Sequence, residues 1–73
     1  MAQEAVEIPM TGKIISVDVK VGDQVNEGDT LCVLESMKME NPIAATVGGK
    51  ITKVSVAKDQ VVKPGDVVAV IEY

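Results

Sequence analysis

Hydrophobic positions in this chain fall in short runs broken by turn residues, and the runs change character along the sequence. Residues 1–4 carry no pattern and are expected to fray, as termini do. Val6 to Met10 reads as a first strand, with Pro9 confining it to an edge. Thr11-Gly12 is a turn. Ile15, Val17, Val19 and Val21 then alternate with Ser16, Asp18 and Lys20, the period of a strand with one wet face. Gly22-Asp23 and Glu27-Gly28-Asp29 are turn chemistry on either side of a very short strand near Val25. Leu31 to Leu34 is apolar on both faces, which suits an inner strand, and Glu35-Ser36 leaves the core. Met39 to Ala45 returns antiparallel, with Pro42 at an edge.

The second half repeats this plan: a turn at Gly48-Gly49, a strand from Lys50 to Val56, a short piece at Val61-Val62 and a closing strand from Val67 to Glu72. At a fixed offset of 37 residues, Gly12-Lys13-Ile14 matches Gly49-Lys50-Ile51. In the same register Val25 matches Val62, Gly28-Asp29 matches Gly65-Asp66, and Glu35 matches Glu72. A gapless register over 12–35 and 49–72 marks an internal duplication. Eight short strands in two copies predict an all-β flattened barrel or sandwich whose halves are related by an approximate two-fold axis. Neither half has enough apolar surface to bury alone, so each is expected to be the other's core.

Composition narrows the function. In a chain of 73 residues, Val, Ile and Leu supply the core, with no Phe or Trp and Tyr73 as the single aromatic; length and content together predict one domain, 1–73. The net charge of −4 argues against a nucleic-acid backbone as partner. The lack of stacking aromatics argues against single strands as well. No apolar run approaches the roughly 20 residues of a membrane span, so no direct membrane insertion is expected. Cys32 is alone, which rules out an internal disulfide and suggests the cytoplasm. Histidine is absent, removing the usual nucleophile partner and metal ligand. Gly49-Lys50 has the dipeptide of a phosphate loop, yet Ile51 follows where Ser or Thr would hold magnesium. No catalytic residue and no metal site emerges.

What remains is the junction of the two copies, Glu35-Ser36-Met37-Lys38-Met39-Glu40. A two-residue hairpin loop favours Asn-Gly or Asp-Gly, because both central residues take positive φ. Met37-Lys38 is a poor choice, since a residue with a Cβ loses roughly 1–2 kcal/mol in the left-handed region. Such a loop also sets Glu35 opposite Glu40, where like charges destabilise. Local rules broken at one place point to a functional site. Two methionines beside a lysine at an exposed tip further suit a surface that another protein grasps.

Met37-Lys38-Met39, with Glu35 before and Glu40 after, resembles the attachment motif of biotinyl domains, the biotin carboxyl carrier modules of the biotin/lipoyl attachment family. Ile8-Pro9-Met10-Thr11-Gly12 resembles the family's opening segment. Gly28-Asp29-Thr30-Leu31 resembles the lead into its attachment hairpin, and Pro64-Gly65-Asp66 the matching turn of the second half. The likeness runs from about Ile8 to Glu72. It implies a flattened barrel of two four-stranded antiparallel sheets with quasi-two-fold symmetry, and a carrier rather than an enzyme. It further implies that a biotin protein ligase joins biotin covalently to Lys38. Met37 and Met39 would be flanking recognition residues, and Glu35 and Glu40 would help guide the ligase. The amine attacks as the neutral base, and the ligase is expected to supply the deprotonation. The arm would then serve a biotin carboxylase and a carboxyltransferase or decarboxylase subunit.

Ser36 stands where alanine is most usual in the family. Nothing between Gly12 and Gly28 has room for the extra thumb loop of some acetyl-CoA carboxylase carriers, so the chain resembles the thumbless type. The family's Ala/Pro-rich linker is missing, which suits either a small subunit or a piece of a longer chain. The nearest alternative is a lipoyl domain of the same fold, whose lysine is typically preceded by Asp and followed by Ala. A second is the unmodified barrel of periplasmic adaptors, whose half-motifs are separated by a long helical hairpin. Cys32 matches Ala69 and reads as a small buried side chain; Gly12, Gly28, Gly49 and Gly65 read as turn glycines.

Overall fold

The structure, a computed structural model, describes residues 1–73 and consists of strands and turns. The strands are β1 (Gln3–Glu7), β2 (Gly12–Val17), β3 (Gln24–Val25), β4 (Thr30–Ser36), β5 (Met39–Ala44), β6 (Gly49–Val54), β7 (Val61–Val62) and β8 (Val67–Glu72). They build two four-stranded sheets, ordered β1-β8-β6-β3 and β5-β4-β2-β7, in which every pairing is antiparallel. Between them lie 15 buried residues, none of them polar or charged. With no polar side chain inside, only the backbone of the core needs hydrogen bonds, and the strand ladders supply them.

The duplication extends to the hydrogen bonds. The Gly28 N–H donates to the Ala45 carbonyl at 2.9 Å, and its counterpart Gly65 donates to Ile8 at 3.0 Å. The Asn26 N–H donates to Asp29 Oδ2 at 2.8 Å, and Lys63 donates to Asp66 Oδ2 at 3.0 Å. Bulges repeat as well. Ile15 is the extra residue where β2 meets β4, and Thr52, 37 positions on, is the extra residue where β6 meets β8. A bulge turns its strand and raises local twist, which is what wraps two short sheets into a flattened barrel.

Several sequence expectations need correction, each for a physical reason. The alternation starting at Ile15 holds for Val17 and Val19, which pack against the core, and fails at its two ends. Ile14 is the fully buried residue, because the Ile15 bulge resets the register of β2, and Val21 lies exposed in a turn. The first strand is Gln3–Glu7 rather than Val6–Met10, since the chain leaves β8 after Glu7 and crosses toward the second sheet at Pro9. Nor do the first residues fray. The Ala2 N–H donates to the Tyr73 carbonyl at 2.8 Å and the Tyr73 N–H returns a bond to Ala2 at 2.9 Å. This rung is the symmetry counterpart of the Ser36–Met39 rung, so the chain ends meet where the other half has its hairpin.

Gly12 and Gly49 also differ from expectation: both open strands. A Cβ on Gly12 would strike the Glu35 carbonyl oxygen and lie 2.8 Å from Leu34 Cδ1. One on Gly49 would strike the Glu72 carbonyl oxygen and lie 2.8 Å from Ile71 Cγ2. Close approach of two strands, repeated in both halves, is what these glycines serve. Gly28 and Gly65 are turn residues as expected, with φ of 92° and 93°.

Candidate functional site: the lysine at the hairpin tip

β4 and β5 form a hairpin that pairs Ser36 with Met39 and Glu35 with Glu40, leaving Met37 and Lys38 as a two-residue loop. Both loop residues are left-handed, with φ of 54° at Met37 and 65° at Lys38, so this is the primed turn that the strand twist demands. Neither residue is one that adopts it readily. The left-handed pair stores on the order of 2–4 kcal/mol of local strain. The hairpin persists because β4 is an inner strand, anchored by buried Leu31, Cys32 and Leu34 and paired along β2 as well as β5.

Two side chains steady the hairpin base. The Ser36 hydroxyl donates to the Thr11 carbonyl at 2.8 Å, tying β4 to the turn before β2. Asn41 Nδ2 donates to the Met39 carbonyl at 3.1 Å. Neither contact, Thr11 nor Asn41, had a signal in the sequence, although serine in place of the family's alanine marked where to look. Lys38 itself projects into solvent with no ion pair, the one salt bridge of the chain being Lys13 to Asp59 at 3.9 Å. Met37 is 92% exposed and Met39 67%. Neither of the two surface hollows, of about 370 and 300 Å³, is lined by Lys38.

The outer face of the second sheet carries one row across all four strands, in the order Glu40, Glu35, Lys13 and Val61. All four are exposed. Lys13 opposes Glu35 in register, and in the duplicate Lys50 opposes Glu72, although Lys13 makes its ion pair with Asp59. Cys32 is far from suited to chemistry: burial pushes its thiol up to about 11, with a smaller contribution from Asp18. No group of three or more His, Cys, Asp or Glu residues is placed to hold a metal ion.

A duplicated β shell that presents an exposed lysine at the tip of a strained hairpin turn, with no cavity beside it, is the architecture of a carrier module. The family model described as "Biotin-requiring enzyme", the biotin/lipoyl family, matches residues 4–71. The chain belongs to that family and is a biotinyl domain. It is 46% identical over 68 residues to a biotinylated protein TB7.3 homolog of Mycobacterium leprae, spanning 93% of this chain and 96% of that one. Against the biotin carboxyl carrier protein of Streptococcus mutans it is 43% identical, spanning 89% of this chain and 50% of that protein. The urea carboxylase of Kluyveromyces lactis superposes with a TM-score of 0.90 at 35% identity, covering 99% of this chain and 6% of that one. The chain thus spans nearly all of one small relative, half of another and a small part of a large carboxylase.

Proposed function

We propose that residues 1–73 act as one biotin carboxyl carrier domain and that Lys38 Nζ is the atom to which biotin is joined. The observation that carries this is Lys38 itself, held at the tip of a strained two-residue turn, exposed and without an ion pair. The residues fit the group. An amide needs a primary amine on an unbranched stem, and a mobile arm needs a tip that no pocket of the carrier encloses.

Lys38 Nζ attacks the acyl carbon of biotinyl-adenylate held by a biotin protein ligase. The amide C–N bond forms, the acyl–phosphate C–O bond breaks, and AMP leaves while the ligase takes up the amine's proton. Arginine would not serve, since a guanidinium is protonated at any working pH. Met37 and Met39 offer the ligase flexible apolar contact, and Glu35 and Glu40 flank the target with negative charge. Once bound, biotin supplies a ureido ring that accepts carboxylate at one active site and releases it at another. The chain's own part is then mechanical. The inner-strand anchor and the Ser36–Thr11 bond hold the hairpin stiff, so that only the arm moves and its effective concentration at both sites stays high. The partners are a biotin carboxylase and a carboxyltransferase or decarboxylase. The free, buried Cys32 supports a reducing, cytoplasmic setting, and no helix is long and apolar enough to cross a membrane.

The test is Lys38→Arg. It should fold as the parent does and take up no biotin when co-expressed with a biotin protein ligase. Streptavidin binding by that variant at the parent's level would overturn the assignment.

A further inference from the structure

The two ends of the barrel share one backbone plan, so the positions at the Lys38 end, Met37 excepted, have a counterpart 37 residues away that shows what the fold itself requires. Exposed Val21, whose counterpart is Lys58, is one position where the two ends part, and Val61 is another. It lies on β7, opposite Lys13 and in the row that runs through Glu35 to Glu40, and it is 73% exposed. Its counterpart on β3 is Gln24, equally part of a two-residue strand and also exposed. A polar residue therefore satisfies this backbone site, so the fold itself does not require the apolar side chain that faces water there. The same divergence holds at the tip, where Met39 corresponds to Ala2.

We infer that Val61 belongs, with Met37 and Met39, to the surface on which the biotin protein ligase docks, an inference that rests on Lys38 being the biotin acceptor. Reach selects this occupant over the carboxylase subunits. A lysine stem extends on the order of 6 Å from its Cα, so the enzyme that acylates the bare amine must close over the protein surface around it. The loaded arm is about twice as long and serves later sites from further away. Strand spacing of about 4.8 Å puts Val61 about 10 Å across the sheet from Glu35. An interface of standard size, about 800 Å² per partner, spreads some 16 Å from its centre and so takes in β7 when centred on the tip. Its centre would be apolar, from Met37 and Met39, with Val61 an outlying apolar contact beyond Glu35 and Lys13, and its Glu35–Glu40 side calls for a basic complement on the ligase.

The experiment is steady-state biotinylation of the unmodified full chain by a biotin protein ligase with biotin and ATP. The variants are Val61→Gln, Val61→Thr and, as a control at the other end, Gln24→Val. Val61→Gln copies a residue that this backbone already carries, and Val61→Thr keeps the β-branched shape, so thermal melts should match the parent. The KM for the carrier should rise about three- to tenfold in both Val61 variants with kcat within twofold, while Gln24→Val changes neither. Unchanged KM in both variants, or an equal shift in Gln24→Val, would remove Val61 from the docking surface and leave Lys38 as acceptor. A parent chain that takes no biotin at all would overturn the reading of Lys38, and this inference with it.

Discussion

Among single residues, the tip carries the backbone strain that the proposed role of Lys38 would explain. Met37 and Lys38 both hold positive φ without glycine's freedom or asparagine's tolerance. Met37→Asn should therefore stabilise the domain by about 0.5–1 kcal/mol, read as a higher urea midpoint with unchanged slope, while slowing biotinylation. A large loss of stability would mean that Met37 packs, contrary to its exposure. Cys32 behaves oppositely. Its raised pKa of about 11 keeps the thiol protonated, so a thiol reagent at pH 8 should label the folded chain far more slowly than the unfolded one. The linked stability is complete below pH 9, where neither state ionises. It falls between pH 9 and 11, because the unfolded state then loses its proton first. A thiol that reacts equally fast in both states would contradict this.

The hairpin, the inner strand and the closing strand show what was legible at the scale of elements. Leu31–Leu34 and Val67–Glu72 read correctly because they are runs apolar on both faces, a signal that survives a one-residue error. β2 was legible only in part: Val17 and Val19 pack inward as the alternation has it, but the bulge at Ile15 hides the buried Ile14, and no local letter announces a bulge. Pro9 and Pro42 both signalled edges, and β1 and β5 are two of the four edge strands, yet only Pro42 lies within its strand. The loop at Met37-Lys38 was legible as a broken rule. The Ser36–Thr11 bond was not, since it joins residues 25 positions apart. Gly12 and Gly49 make the duplication testable here. Gly12→Ala and Gly49→Ala should each cost about 1–3 kcal/mol by overpacking against the neighbouring strand, with similar values for the pair. A tolerated alanine at either position would show that the close approach can relax.

For the whole molecule, the two-fold repeat was visible at its centre and missed at its margins. The sequence register ran over 12–35 and 49–72, whereas the structure carries it on to the Ala2–Tyr73 rung. Sequence identity fades there because the two ends have diverged in what they present. One is a closed hairpin carrying Lys38, while its counterpart is an open pair of chain ends. A chain permuted by joining Tyr73 to Ala2 through Asn-Gly, and opened at Val21–Gly22, should therefore fold cooperatively with a melt near the parent's. A broad, non-cooperative transition would count against the equivalence of the two rungs. The most direct measurement of the central claim is peptide mapping of the chain after co-expression with a biotin protein ligase. One biotin per chain is expected, on Lys38 alone among the seven lysines. Biotin on any other lysine, or a lipoyl group on Lys38 with no biotin under matched expression of both ligases, would contradict it.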